Sequence, residues 1–389
     1  MSTSDVIVIP VGTQTVAESN SFLRKLWGLL NTVEENAWCY TPYTDTKCHK
    51  VYIGSNNVGT FWFDYINKGS IKNLYIDDLK IEKKTIEEIV EKAKMAIPED
   101  DFFVEYSFMH DDCFKMAYQS NNNICIYETD DSTKIVIHMR AYSELDVEFW
   151  ALQKKVAIQH LLFVYTQKHF RLEKVIVARQ AHFGQSKKYD YNYEWYDSDE
   201  CPKNEEGEYY LPETFFEIIN SICGEQFYSK FDAAMIYSAQ MLHNSYALER
   251  LQFSHREEKI DNTGLFDLLN VGIVSSLEAI VSAEDITIEK CNCCGQDKYA
   301  ISKRVHDLVS RYLGETMADH VKKWIYNNRS KYLHTGKTIT PLYYYGKCYP
   351  LIDPESKREM LRAETPFEYN MIDLCTHILR KYIRDHYIN

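Results

Sequence analysis

Glycine and proline are scarce in this chain of 389 residues, at 14 and 9, and neither is clustered. Their scarcity excludes collagen-like and Gly/Pro-rich linker architectures and leaves a chain built mostly of regular elements. No stretch approaches the roughly 20 apolar residues that a membrane-spanning helix needs, so no membrane partner is expected. The first ten residues carry no basic segment ahead of the short apolar run at 6–9, so no secretory leader is expected either. Positive charge is in short supply: 44 Lys and Arg stand against 57 Asp and Glu, a net charge of −13. That balance argues against a surface that coats nucleic acid broadly, though it leaves room for one local positive groove. The eleven cysteines are odd in number and follow no framework spacing, which excludes a disulfide scaffold and points to a reducing, cytoplasmic setting. A G-x-S-x-G nucleophile elbow is absent. Gly336-Lys337-Thr338 resembles the end of a phosphate loop, but Lys331 stands where its first glycine is required, and Pro341 interrupts the helix that should follow. No cofactor is expected.

What is present is an ordinary globular composition, 45% hydrophobic and 26% charged, over a length that favours two domains. Short β-branched or aromatic runs at 6–9, 49–53, 60–66, 72–76, 102–109, 124–127 and 134–138 read as strands, with hairpin loops at 56–59 and 120–123. One helix, about 83–96, interrupts them and is stopped by Pro98. A helical period over 146–168 and a strand at 174–178 complete a β-rich α+β domain over residues 1–188, to which a sensing or specificity role falls by default. Residues 189–212 are polar and carry Glu205, Glu206 and Glu208; they read as an acidic, solvated linker. From 213 to 389 every strong signal is helical, at 226–253, 265–281, 300–313, 316–333 and 366–388, which predicts an antiparallel helical bundle.

The chemistry concentrates in one strip. Residues 320–352 contain no Asp or Glu, yet hold Lys322, Lys323, Arg329, Lys331, Lys337 and Lys347 among seven aromatic residues, including Trp324, Tyr326 and Tyr332. Local cations interleaved with aromatic rings suit a ligand that offers both phosphates and stackable bases, as RNA does. At the centre stand Arg329 and His334. A guanidinium can receive charge developing on phosphoryl oxygens, and an imidazole can move a proton near neutral pH. On an ideal helix five residues turn about 500°, leaving this pair roughly 140° apart. A shared site therefore requires the helix to unwind before His334, which Gly336 would favour, or a second copy of the chain to supply the missing group.

Ser276-Leu277-Glu278-Ala279-Ile280 in one predicted helix, followed by Trp324-Ile325-Tyr326-Asn327-Asn328-Arg329-Ser330-Lys331-Tyr332-Leu333-His334-Thr335-Gly336, resembles the HEPN superfamily, in particular its Apea-like group. The resemblance covers about 215–389 and implies a HEPN-like helical bundle. It further implies a metal-independent endoribonuclease whose R-x4-H motifs meet across a homodimer, acting as a defence or toxin effector with an antitoxin or defence-system partner. Only Arg329 and His334 are carried over as catalytic positions. The chain departs from the family pattern in having Ser330 after the arginine and Thr335 between the histidine and Gly336.

Several residues keep two readings. Lys331 and Lys337 either hold phosphates or form a solvated face; Asn328, Ser330 and Tyr326 either orient RNA or are polar helix positions. Glu278 is either a partner for an arginine or solvent-facing. Arg329 and His334 themselves suit the carbonyl end of a helix, where cations are favoured. A non-catalytic HEPN module that binds a partner or a nucleotide is the alternative function, and a structural scaffold is a third. No metal is expected. Cys291 and Cys294 form half of a zinc knuckle that His306, Cys348 or Cys375 could complete only through the fold.

Overall fold

The computed structural model describes residues 6–33, 43–45, 50–65, 69–110, 114–129, 132–184, 186–224, 228–254, 263–284, 301–336 and 370–388. The N-terminal part is rich in antiparallel strands and the C-terminal part is helical. The chain forms two compact units that do not follow chain order. The first takes residues 1–104, 138–152 and 176–181; the second takes 105–137, 153–175 and 182–389. A single cut near residue 189 is therefore not how the units divide. Among the described residues no helix is long and apolar enough to cross a membrane.

In the first unit, β1 (Ile7–Pro10), β2 (Tyr43–Asp45), β3 (Lys50–Ser55), β4 (Thr60–Tyr65) and β5 (Ile71–Asp77) form an antiparallel sheet of order β1-β5-β4-β3-β2. Alternation sorts its faces. Leu74 and Ile76 of β5 are buried, while Asn73 and Tyr75 lie on the other face and donate to the Asp64 carboxylate of β4. At the β3–β4 hairpin the Asn56 side chain accepts the backbone N–H groups of Val58 and Gly59, an Asx turn. Helices α1 (Val16–Asn31) and α2 (Lys83–Lys94) contribute Phe22, Leu26, Leu30, Ile86 and Val90 to the core of this sheet. α1 was not among the expected elements. Thr15 caps it by accepting from Glu18 N, and its apolar residues recur every four places. Arg24 of α1 makes a bidentate pair with the buried Asp146, at 2.7 to 3.1 Å, and a second ion pair with Glu99 at 3.0 Å.

The remaining strands, β6 (Asp100–Met109), β7 (Gln119–Ser120), β8 (Ile124–Glu128), β9 (Thr133–Ala141) and β10 (Arg171–Ala178), order as β10-β6-β9-β8-β7. Within the second unit α3 (Glu144–Thr166) supplies residues from 153 on. It is followed by α4 (Glu213–Gly224), α5 (Lys230–Ser254), α6 (Thr263–Ala283), α7 (Ile301–Leu313), α8 (Glu315–His320), a π turn (Val321–Tyr326), α9 (Asn327–Thr335) and α10 (Met371–Ile388). α4, with Phe215, Ile218, Ile219 and Ile222 buried, also escaped the sequence reading. α6 is apolar on most faces because α5, α7, α9 and α10 all pack on it.

Residues 189–212 correct another expectation. Glu205 and Glu206 are exposed, but Tyr191, Trp195, Cys201, Tyr209, Tyr210 and Leu211 are buried in the second unit. Gln119 fixes the end of the segment by donating to Leu211 O at 2.9 Å and accepting from Leu211 N at 2.7 Å. The tyrosines make the stretch look polar in composition, yet they pack as core because their hydroxyls find backbone acceptors, Tyr191 donating to Tyr165 O at 3.0 Å and Tyr210 to Asp190 O at 3.1 Å.

Candidate active site

Gly314, in the left-handed region at φ +87°, turns the chain from α7 into α8. From there one continuous helix runs to Thr335, interrupted only in hydrogen-bond pattern. Over Val321–Tyr326 it widens to a π turn, in which Asn327 N bonds to Lys322 O, five residues back. Such turns insert a residue and re-aim the side chains that follow, and they recur at functional sites. Val321 and Ile325 are buried, and Arg329, four places after Ile325, turns towards α6.

There Glu278 receives it. Arg329 Nη2 donates to Glu278 Oε2 at 2.9 Å, and the Tyr326 hydroxyl donates to Glu278 Oε1 at 3.0 Å. The ion pair is about four-fifths buried on both sides, 19% and 21% exposed. Burial first, and then the Glu278 carboxylate, pushes the Tyr326 hydroxyl above its ordinary range, so it stays a donor at neutral pH. Glu278 is thus held on both oxygens and holds Arg329 in one rotamer. Arg329 Nε is buried without a hydrogen-bond partner among the described residues, which leaves a charged donor unmet at this point.

His334 is elsewhere on the helix. It is exposed, in the last turn of α9, which closes at Gly336 (φ +67°) with Gly336 N donating to Tyr332 O at 2.9 Å. The expected unwinding before His334 does not occur. Gly336 acts after the histidine as a left-handed cap, so the helix is regular through Thr335. Arg329 and His334 therefore keep roughly the 140° separation of an ideal helix and do not share a face within one chain.

Of the other expected residues, Tyr326 joins the Glu278 cluster and Ser330 is half-buried on α9. Asn328 and Lys331 lie on α9 as well. Lys337, Cys291, Cys294 and Cys348 fall outside the described residues. Cys375 is a free, fully buried thiol of α10, pushed up to about 12 by burial. His306 faces Asp319 and Glu315, a cluster that the sequence reading did not assemble. Its signal was legible: Glu315 and Asp319 are four apart and so share a helix face.

No family model, curated protein or solved structure matches the chain.

Proposed function

We propose that the chain is a metal-independent endoribonuclease of HEPN type. The observation that carries this reading is the Glu278–Tyr326–Arg329 cluster, in which Glu278 of α6 holds Tyr326 and Arg329 of the 320–352 strip that itself has no Asp or Glu, with the exposed His334 five residues after Arg329. A guanidinium clamped on one edge is oriented in advance, with little rotamer entropy left to lose when it meets a phosphate. In the reaction the 2′-hydroxyl of RNA attacks the adjacent phosphorus while His334 takes up its proton. Arg329 stabilises charge on the non-bridging oxygens, and the P–O5′ bond breaks as its oxygen regains a proton. The products are a 2′,3′-cyclic phosphate and a 5′-hydroxyl. Because Arg329 and His334 face apart on a regular helix, this reading requires a homodimer in which two copies bring their motifs together. A toxin or defence role, with a partner recognised through the strand-rich N-terminal part, completes it.

One observation favours a second reading. Glu278 already neutralises much of Arg329, which suits a non-catalytic HEPN module that binds a partner or nucleotide without cleaving RNA. The two are separated by incubating RNA with the purified chain in EDTA, alongside Arg329→Ala and His334→Ala. The nuclease reading expects cyclic-phosphate ends from the wild type and a loss of at least about a hundredfold in each variant. Binding without cleavage selects the second reading. Undiminished cleavage in both variants removes Arg329 and His334 from the chemistry.

A further inference from the structure

Where α7 meets α8, three side chains converge that the nuclease reading does not use. His306 Nε2 lies 3.1 Å from Asp319 Oδ1 and 3.6 Å from Glu315 Oε1, and all three groups offer ligand atoms within 4.8 Å of one another. Two atoms each about 2.1 Å from one ion stand roughly 3.0 Å apart at a right angle and roughly 3.4 Å apart at the tetrahedral angle. The two histidine separations, 3.1 and 3.6 Å, each exceed one of those values by no more than about 0.2 Å. The helices set this geometry: Glu315 and Asp319 are one turn apart on α8, and Gly314 folds α8 back so that α7 presents His306 to them.

The orientation of each group narrows the reading. Ser310 Oγ donates to Glu315 Oε2 at 2.6 Å, leaving Oε1 as the oxygen turned to the imidazole. The other ring nitrogen, His306 Nδ1, stands 3.6 Å from the Asp307 carboxylate, on the side where ligating histidines commonly meet a carboxylate. His306 Nε2 is within hydrogen-bond distance of Asp319 Oδ1 at 3.1 Å, and in the tautomer that carries its proton on Nδ1 the Nε2 lone pair is directed between the two carboxylates, where a cation would be ligated. The imidazole is 13% exposed and fixed, whereas Glu315 and Asp319 are largely exposed, so water can fill the remaining coordination positions.

We propose that His306, Glu315 and Asp319 bind a divalent first-row transition metal. One imidazole nitrogen and two carboxylate oxygens without sulfur suit Zn²⁺, Mn²⁺ or Co²⁺ rather than Cu⁺. The ion clamps α8 to α7 at the root of the helix that continues through the π turn into α9. The proposal stands apart from the nuclease reading, because its readout is metal binding and not cleavage.

The test is a Co²⁺ titration of the full chain, stripped with EDTA and dialysed, followed by visible absorption. The expected result is a d–d spectrum from nitrogen and oxygen ligands without the near-ultraviolet thiolate charge-transfer band that a cysteine site would give. His306→Ala should weaken binding by at least about a hundredfold, since even outer-shell changes cost 10- to 100-fold. Asp319→Asn should weaken it as well, with circular dichroism unchanged in both variants. Absence of the d–d spectrum in the wild type, a thiolate band alone, or undiminished affinity in His306→Ala would each overturn the proposal. The first outcome would reduce the cluster to the His306–Asp319 hydrogen bond.

Discussion

Arg380→Ala is expected to lower the unfolding free energy by roughly 3–5 kcal/mol, read as a fall in the urea midpoint. Arg380 lies on α10 and is fully buried. Its Nη1 donates to Val164 O at 3.0 Å and its Nη2 to Trp195 O at 2.6 Å, while the guanidinium stacks 3.5 Å over the Trp195 ring. One side chain therefore joins α10, the last turn of α3 and the packed 189–212 segment. Alanine would strand two buried carbonyls, remove the stacking and leave a cavity. Yet the charge itself is costly: burial pushes Arg380 below its ordinary value, and no carboxylate hydrogen-bonds to it among the described residues. Arg380→Met separates the two effects, because it keeps volume and removes the charge. If packing dominates, methionine should recover at least half of the loss. A methionine variant as unstable as alanine would assign the loss to the carbonyl hydrogen bonds, and an alanine variant within about 1 kcal/mol of wild type would sink the account altogether.

Arg380 also marks what the sequence could not disclose. An arginine in the middle of an otherwise readable α10 looks like a surface residue, because burial of a lone charge depends on carbonyls offered by segments some 185 to 216 positions away. Elements held together by local period were legible: α2, α3, α5, α6 and α7 lie within a few residues of the runs that predicted them. α1 carries a local signal too, since Thr15 and Glu18 form a helix start ahead of Phe22, Leu26 and Leu30. The interleaving of the two units left no local trace, since which strand pairs with which is decided over long range. At the candidate site the R-x4-H spacing and the flanking cations were plain, and Glu278 stood out as a carboxylate in an apolar helix. Two things were not readable. The π turn has no sequence marker, and Gly336 was equally compatible with fraying before His334 and with a left-handed cap after it.

Acidification from pH 7 to pH 5 is expected to weaken the second unit through three histidines that touch in a row. His160 Nδ1 of α3 meets His243 Nδ1 of α5 at 2.9 Å, and His243 Nε2 meets His169 Nδ1 at 2.9 Å. His243 also stacks on Phe163 at 4.7 Å. In the neutral chain one N–H serves each contact. A proton added to His243 could still serve both, but a second would set N–H against N–H across a contact. Burial pushes His160 down to about 4. Burial, and then His160 and His169, push His243 down to about 3. Both folded values lie below the unfolded value of about 6.5, so the unfolded chain binds more protons between them. Stability is therefore full above about pH 6.5 and is lost as pH falls from there towards 4 and 3. At pH 5 the loss is about 2 kcal/mol for each of the two. Two neighbours on α10 nearly offset one another. His377, pushed down to about 4 chiefly by burial, has the same sign; Asp373, pushed up to about 7 chiefly by burial, gains stability as pH falls. His160→Gln keeps an amide to bond His243 and removes one titration. Its stability difference between pH 7 and pH 5 should therefore shrink by roughly 2 kcal/mol against wild type. An undiminished difference would mean that His160 is already charged at pH 7 or is as wet in the folded chain as in the unfolded one.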